Sequence, residues 1–168
     1  MALYEPVFEA LNQRDVRYVV VGGVAVLLHG FARLTGDLDL AIDLDSAEAR
    51  KAVSALLDFG LAARPPVDPM GLADPALRTT WARERGMRVF SFWNPRDPML
   101  LVDCFVEEQI PFAQLWARSL VLTLTSTTVR VASIPDLIAL KRMAGRPHDQ
   151  TDIEALEEIL RRGGPKHG

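Results

Sequence analysis

Hydrophobic and polar positions alternate most regularly along "TGDLDLAIDLD", residues 35–45, where Leu38, Leu40, Ile42 and Leu44 are interleaved with Asp37, Asp39, Asp43 and Asp45. An extended strand sends successive side chains to opposite faces, so the stretch predicts a strand at about residues 38–44 with one apolar and one acidic face. The apolar face belongs on a core. The acidic face is unusual, because Asp is depleted in strands and like charges held on one face repel. Two arrangements offset that repulsion: a solvated edge strand whose charges discourage aggregation, or a divalent cation held by carboxylate oxygens.

The pattern elsewhere alternates strands with helices. "EPVFEALNQRD" carries Val7, Phe8, Ala10 and Leu11 near helical spacing, and "VRYVVVGG" is a β-branched run that predicts a buried strand ending near Gly22. "VAVLLHGFARL" has helical length and composition. "SAEARKAVSALLDFG" predicts a helix capped by Ser46, with Glu48 early and Gly60 closing it. Residues 63–75 are rich in Pro and Gly and predict a loop. "LRTTWARERG" predicts a short helix, "MRVFSFW" and "MLLVDCFV" two strands joined by "NPRDP", and "SLVLTLTSTTVRVAS" further strand. The chain ends in two expected helices, one from Pro135 and one from about Asp149, separated by "AGRPH". This order predicts an α/β or α+β class with a mixed sheet.

Length and composition narrow the function classes. At 168 residues, 49% hydrophobic and 24% charged, the chain suits one globular domain with a sizeable core and a small helical appendage. A formal charge of −3 argues against a broadly basic coat for duplex nucleic acid, while leaving room for a local basic patch. The lone Cys104 excludes an intramolecular disulfide framework and fits a reducing compartment. No basic leader with a long apolar run, and no apolar stretch of membrane-spanning length, is present, so a soluble cytoplasmic protein is expected.

Two further features carry chemistry. Gly22 and Gly23 end a strand and open a helix, where glycine lets the backbone turn sharply and lets a triphosphate approach the N–H groups. A Gly pair there is also a common plain turn. Asp103 interrupts the apolar run "LLVDCFV", and a lone buried carboxylate wants a cation or an arginine. Beside Asp37 and Asp39 it would complete three carboxylates, enough for one or two Mg²⁺ ions with positions left for phosphate and water.

"VVVGGVAVLLHGFARLTGDLDLAID" resembles the signature of the DNA polymerase β-like nucleotidyltransferase superfamily: an apolar strand, a Gly pair, a helix, Asp-x-Asp on the next strand and a third Asp on a later one. Gly22, Gly23, Asp37, Asp39 and Asp103 stand at those positions. "IPDLIALKRMAGRPHDQTDIEAL" is similar to the C-terminal helices of small bacterial nucleotidyltransferases related to AbiEii/AbiGii-type toxins, with Lys141, Arg146, Asp149 and Asp152 matching. Gly23 departs from the commoner Ser, so backbone amides must serve where a side-chain hydroxyl would.

The resemblance implies a nucleotidyltransferase fold, a mixed sheet flanked by helices, in one domain with a core at about residues 1–132 and a C-terminal helical part at about 133–163. It implies that Asp37, Asp39 and Asp103 hold Mg²⁺ or Mn²⁺, that Asp103 also suits a general base, and that an NMP passes from an NTP to an acceptor hydroxyl with release of pyrophosphate. The acceptor would be RNA, such as a tRNA, or a protein, and a toxin would have a cognate antitoxin. A non-catalytic nucleotide-binding regulator or antitoxin-like partner with the same fold is the alternative, and it gains if Asp103 lies away from Asp37 and Asp39.

Arg33, Thr35, Lys141 and Arg146 are the candidates for neutralising phosphate. Arg33 could instead pair with Asp37 or Asp39. Asp149 is expected simply to begin its helix, and Asp152 to orient Lys141 or Arg146 from the same helical face. Asp43 and Asp45 are expected in solvent, and His29, the tryptophans and Cys104 in structural roles. A basic surface of Arg142, Arg146, Arg161, Arg162 and Lys166 would favour a tRNA-like acceptor.

Overall fold

In the computed structural model, which describes residues 3–147 and 149–163, the chain opens with helix α1 (Glu5–Asn12), strand β1 (Tyr18–Val21) and helix α2 (Gly22–Leu28). Strand β2 (Leu38–Ile42), helix α3 (Ser46–Asp58) and the short strand β3 (Ala62–Ala63) follow, then a 3₁₀ turn at Pro69–Ala73 and helix α4 (Pro75–Arg85). Strands β4 (Val89–Asn94) and β5 (Asp97–Phe105) form a hairpin. Helix α5 (Phe112–Arg118), strands β6 (Leu120–Thr123) and β7 (Thr128–Val131), and helices α6 (Ile134–Ala144) and α7 (Asp149–Arg161) complete the order.

The strands make one mixed seven-stranded sheet in the order β3-β4-β5-β2-β1-β7-β6. β2 runs parallel to β5 and antiparallel to β1, so the acidic strand is central and the edge-strand explanation of its charges falls away. Its alternation is obeyed: Leu38, Leu40 and Ile42 are buried, while Asp39 and Ala41 face the other side. α3 packs on β2 and α1 on α3, giving a core that includes Phe8, Leu11, Leu40 and Leu56. On the opposite face Leu140 of α6 and Phe112 and Leu115 of α5 meet Ala41 and Phe105 around a small apolar pocket. α7 packs on α6, and α6 on α2.

Several local expectations change. The helix after the Gly pair stops at Leu28 instead of running through "HGFARL", because Gly30 takes φ +100° and turns the chain out, leaving residues 31–35 without regular structure. α3 is capped by Asp45, whose carboxylate accepts from the Ala47 N–H at 3.0 Å, and not by Ser46. Asp43 is not free in solvent either: it accepts from Arg17 Nη1 at 2.7 Å. α5 arises in a stretch for which no element is expected, although Phe112, Leu115 and Trp116 stand at helical spacing. His29 is buried, with Nε2 2.8 Å from the Ala132 carbonyl, and Trp81 packs against Phe90 in the core.

Candidate active site

The site begins where β1 passes directly into α2. Gly22 has φ +63°, and a Cβ built on it would lie 1.8 Å from Asp39 Oδ2, so no side chain fits there. The glycine thus admits the Asp39 carboxylate against the turn. A Cβ on Gly23 would lie 2.6 Å from Thr35 Oγ1. The Thr35 hydroxyl, which donates to the Asp37 carbonyl at 3.2 Å, therefore occupies the place that a side chain at residue 23 would take. A serine at residue 23 would therefore crowd Thr35, which fits the glycine found there.

The three carboxylates come together through sheet register. Asp39 of β2 stands beside Asp103 of β5 and opposite Val21 of β1, with Asp37 one pleat earlier on the lead-in. One oxygen from each of Asp37, Asp39 and Asp103 lies within 4.8 Å of the others. None of the three has an ion-pair partner among the described residues. Burial, then the charges of Asp37 and Asp103, push the Asp39 carboxyl up to about 7, with Arg146 and Lys141 opposing. Burial also raises the Asp103 carboxyl, against a hydrogen bond from Ser91 and the charge of Arg64. Three clustered, partly buried oxygen donors, with Asp39 and Asp103 both pushed toward the protonated form, fit a hard divalent cation.

Facing this triad is a knot of opposite charges. Lys141 on α6 is 4% exposed and donates to Asp149 Oδ1 at 3.1 Å and Asp152 Oδ2 at 2.6 Å, both on α7. Arg146 donates through Nε to Asp149 Oδ2 at 3.0 Å, and Arg33 is in direct ion pair with Asp152. Three cations thus surround two carboxylates, leaving positive charge toward the acidic triad. Burial alone would raise the Asp149 carboxyl; hydrogen bonds from Arg146 and Lys141 outweigh it and hold it below its usual range. Gly22, Asp37, Asp39, Asp103, Lys141 and Arg146 line one cleft of about 260 Å³, which continues past Arg88, Phe105, Gln109 and Met143.

The structure therefore brings Gly22, Asp37, Asp39, Asp103, Lys141 and Arg146 into one cleft, with Gly23 and Thr35 in contact beside it. Arg33 pairs with Asp152, and not with Asp37 or Asp39. Asp149 does more than begin a helix, since it is buried and holds both Lys141 and Arg146. Asp152 orients Lys141 as expected, but its second partner is Arg33 and not Arg146. The expected basic surface is largely neutralised: Arg142 pairs with Glu157, and Arg161 and Arg162 with Glu158, while Lys166 lies outside the described residues. Sequence reasoning missed Ser91, Arg64 and Arg88, whose link to Asp103 exists only through strand pairing. Asp103 lies with Asp37 and Asp39, so the condition that would favour a non-catalytic module is not met.

The comparisons bear on the same arrangement. By fold, the chain is similar to the lincosamide antibiotic adenylyltransferase LnuA in its lincomycin-bound form, at 15% identity and TM-score 0.61, covering 95% of this chain and 97% of that one. It is similar to ANT(2")-Ia in complex with adenylyl-2"-tobramycin, at 15% identity and TM-score 0.59 over 95% and 88% of the two chains. An antigenic nucleotidyltransferase-like protein from Paracoccidioides brasiliensis gives 16% identity and TM-score 0.60 over 94% and 75%. Comparison with curated protein sequences gives no match. The family model described as nucleotidyl transferase AbiEii toxin, type IV toxin–antitoxin system, matches residues 8–163. Sheet, acidic triad and C-terminal helices all lie within that span, and the chain belongs to the AbiEii nucleotidyltransferase toxin family.

Proposed function

We propose that this nucleotidyltransferase is metal-dependent and moves an NMP from an NTP to an acceptor hydroxyl on RNA or protein, as the toxin of a pair with a cognate antitoxin. The carrying observation is the convergence of Asp37, Asp39 and Asp103 within 4.8 Å, opposite Lys141 and Arg146 in one cleft. On this reading one domain does the work, its core at about residues 1–132 and its helical part at about 133–163. No helix among the described residues is long and apolar enough to cross a membrane, and the proposed setting is the cytoplasm.

Asp37, Asp39 and Asp103 would hold Mg²⁺ or Mn²⁺. A divalent ion bound there supplies charge neutralisation at the phosphates and stabilises the attacking and leaving oxygens. Asp103, with its carboxyl raised by burial, takes the proton of the acceptor hydroxyl as that oxygen attacks the α-phosphorus. The bond from that phosphorus to the bridging oxygen breaks, and pyrophosphate leaves with the electron pair. Lys141 and Arg146 offer N–H donors to the leaving phosphates, held in place by Asp149 and Asp152. Arg33 fixes Asp152, and so acts on the site through Lys141. The Gly22 and Gly23 amides add neutral donors at the turn, and Thr35, whose hydroxyl donates to the Asp37 carbonyl, holds the lead-in to the acidic strand beside them.

The test is incubation with each α-labelled NTP and Mg²⁺ or Mn²⁺, with bulk tRNA and without it, beside an Asp37→Asn/Asp39→Asn control. Label on RNA or protein that disappears in the control is expected. Label that persists in the control would overturn the assignment, and metal-dependent NTP binding without any transfer would favour the regulator or an acceptor absent from the assay.

A further inference from the structure

The β5–β4–β3 side of the sheet carries cations that no described carboxylate neutralises. Arg64, Arg83, Arg85 and Arg88 are exposed and make no ion pair or side-chain hydrogen bond among the described residues, in contrast with Arg142, Arg161 and Arg162 on the terminal helices. Two of them are tied to Asp103. Asp39, Asp103 and Ser91 occupy one cross-strand row, and the β3–β4 pairing extends it to Arg64, whose N–H donates to the Ser91 carbonyl at 2.9 Å. Residues directly opposite one another share a face of the sheet, so Arg64 stands on the face of the triad. Two strand spacings, about 10 Å, separate its backbone from that of Asp103. The charge of Arg64 is felt at the Asp103 carboxyl. Arg88, at the start of β4, lines the cleft itself together with Asp103.

We propose that Arg64 and Arg88 form an anion subsite beside Asp103, which holds phosphates of a single-stranded polynucleotide acceptor next to its attacking hydroxyl. The inference rests on the nucleotidyltransferase reading above, since Asp103 marks the acceptor side only if it receives the acceptor proton. It moves acceptor recognition from the terminal helices to the β3–β4 edge. The position suits a chain of phosphates: Arg88 reaches the cleft, Arg64 stands further along the same face, and Arg83 and Arg85 in the last turn of α4 precede Arg88. Arginine presents a planar fork of donors to phosphate oxygens, and an exposed unpaired guanidinium has no partner to give up on binding. Arg64 and Arg88 are positioning residues, distinct from the cations that face the triphosphate.

The test uses the full chain without NTP, so that binding is read apart from turnover. Anisotropy of a fluorescein-labelled oligoribonucleotide of about 12 nucleotides is followed for the wild type and for Arg64→Ala, Arg88→Ala and Arg161→Ala across a salt series. Arg64→Ala and Arg88→Ala should each weaken binding at least about fivefold and reduce the slope of log K against log salt by about 0.7. Arg161→Ala should change neither, and Arg64→Lys should restore part of the loss. Unaltered melting temperatures identify variants that are folded. Binding insensitive to both substitutions overturns the subsite, and so does an equal loss of NTP binding, which would assign the arginines to the triphosphate. Displacement of the oligonucleotide by polyglutamate at equal charge would overturn it in favour of an acidic protein acceptor. Absence of transfer in the labelling experiment would instead overturn the parent reading.

Discussion

Replacing Asp39 by Asn should make the metal-free protein more stable while abolishing transfer. The Asp39 carboxyl is raised from 3.8 to about 7, first by burial and then by the charges of Asp37 and Asp103. Between those values the folded chain keeps this proton and the unfolded chain has lost it. The folded state therefore binds more protons, and stability falls as pH rises from about 4 to about 7, staying low above that. A shift of about 3 units at about 1.4 kcal/mol each sets a ceiling of about 4 kcal/mol on what ionising Asp39 costs at neutral pH. Asparagine has the same shape, fits beside Gly22 and carries no charge. Urea unfolding in EDTA at pH 8 should show Asp39→Asn more stable by on the order of 2–4 kcal/mol, or on the order of 10 °C in Tm. The gain should shrink toward zero below about pH 3, where the wild-type carboxyl is protonated in both states. A variant no more stable than wild type at pH 8, or a gain that does not shrink with pH, would refute the reasoning.

Added Mg²⁺ or Mn²⁺ should raise the wild-type Tm at pH 8, raise it less at pH 5.5 where protons occupy the same carboxylates, and leave Asp37→Asn/Asp39→Asn unmoved; differential scanning fluorimetry reads all three. Gly22→Ala should reduce transfer at least about a hundredfold, because its Cβ would displace the Asp39 carboxylate, and the left-handed backbone adds about 1 kcal/mol of destabilisation measurable by urea unfolding. Asp152→Ala removes the shared partner of buried Lys141 and of Arg33, and should cost about 3–5 kcal/mol in chemical denaturation. Lys141→Met should cost less, since Asp149 and Asp152 keep Arg146 and Arg33, yet raise the NTP KM at least about tenfold in steady-state kinetics.

The acidic triad was legible because each member breaks a strong local rule. Asp39 puts charge on a strand with Asp37 just ahead of it, and Asp103 interrupts an apolar run, so the conflict was visible before any pairing was known. Lys141 and Asp152 came through the resemblance, since a lysine beside an arginine on a helix otherwise suggests a solvated face. The partners of Arg33 and Asp149 were not legible. Arg33 finds Asp152 at a separation of 119 residues, and Asp149 turns back on Arg146 through a bend whose outcome depends on how α7 docks. The Arg64–Ser91–Asp103 row escaped for the same reason, because register across three strands is set by hairpin geometry and sheet order. Within elements the misses were local: one glycine, Gly30, was enough to stop α2, and Asp45 outcompeted the adjacent Ser46 as cap.

Lys141 is locked by two carboxylates that both belong to α7, one of which also clamps Arg33. Of all the parts of the cleft, this helix is the last to leave the ribosome. A nascent chain with its sheet already folded would have the acidic triad but lack the carboxylates that fasten Lys141, Arg146 and Arg33. On the proposed mechanism the capacity to modify an acceptor would arrive late in synthesis, and an incomplete product would be inert even with Asp37, Asp39 and Asp103 together.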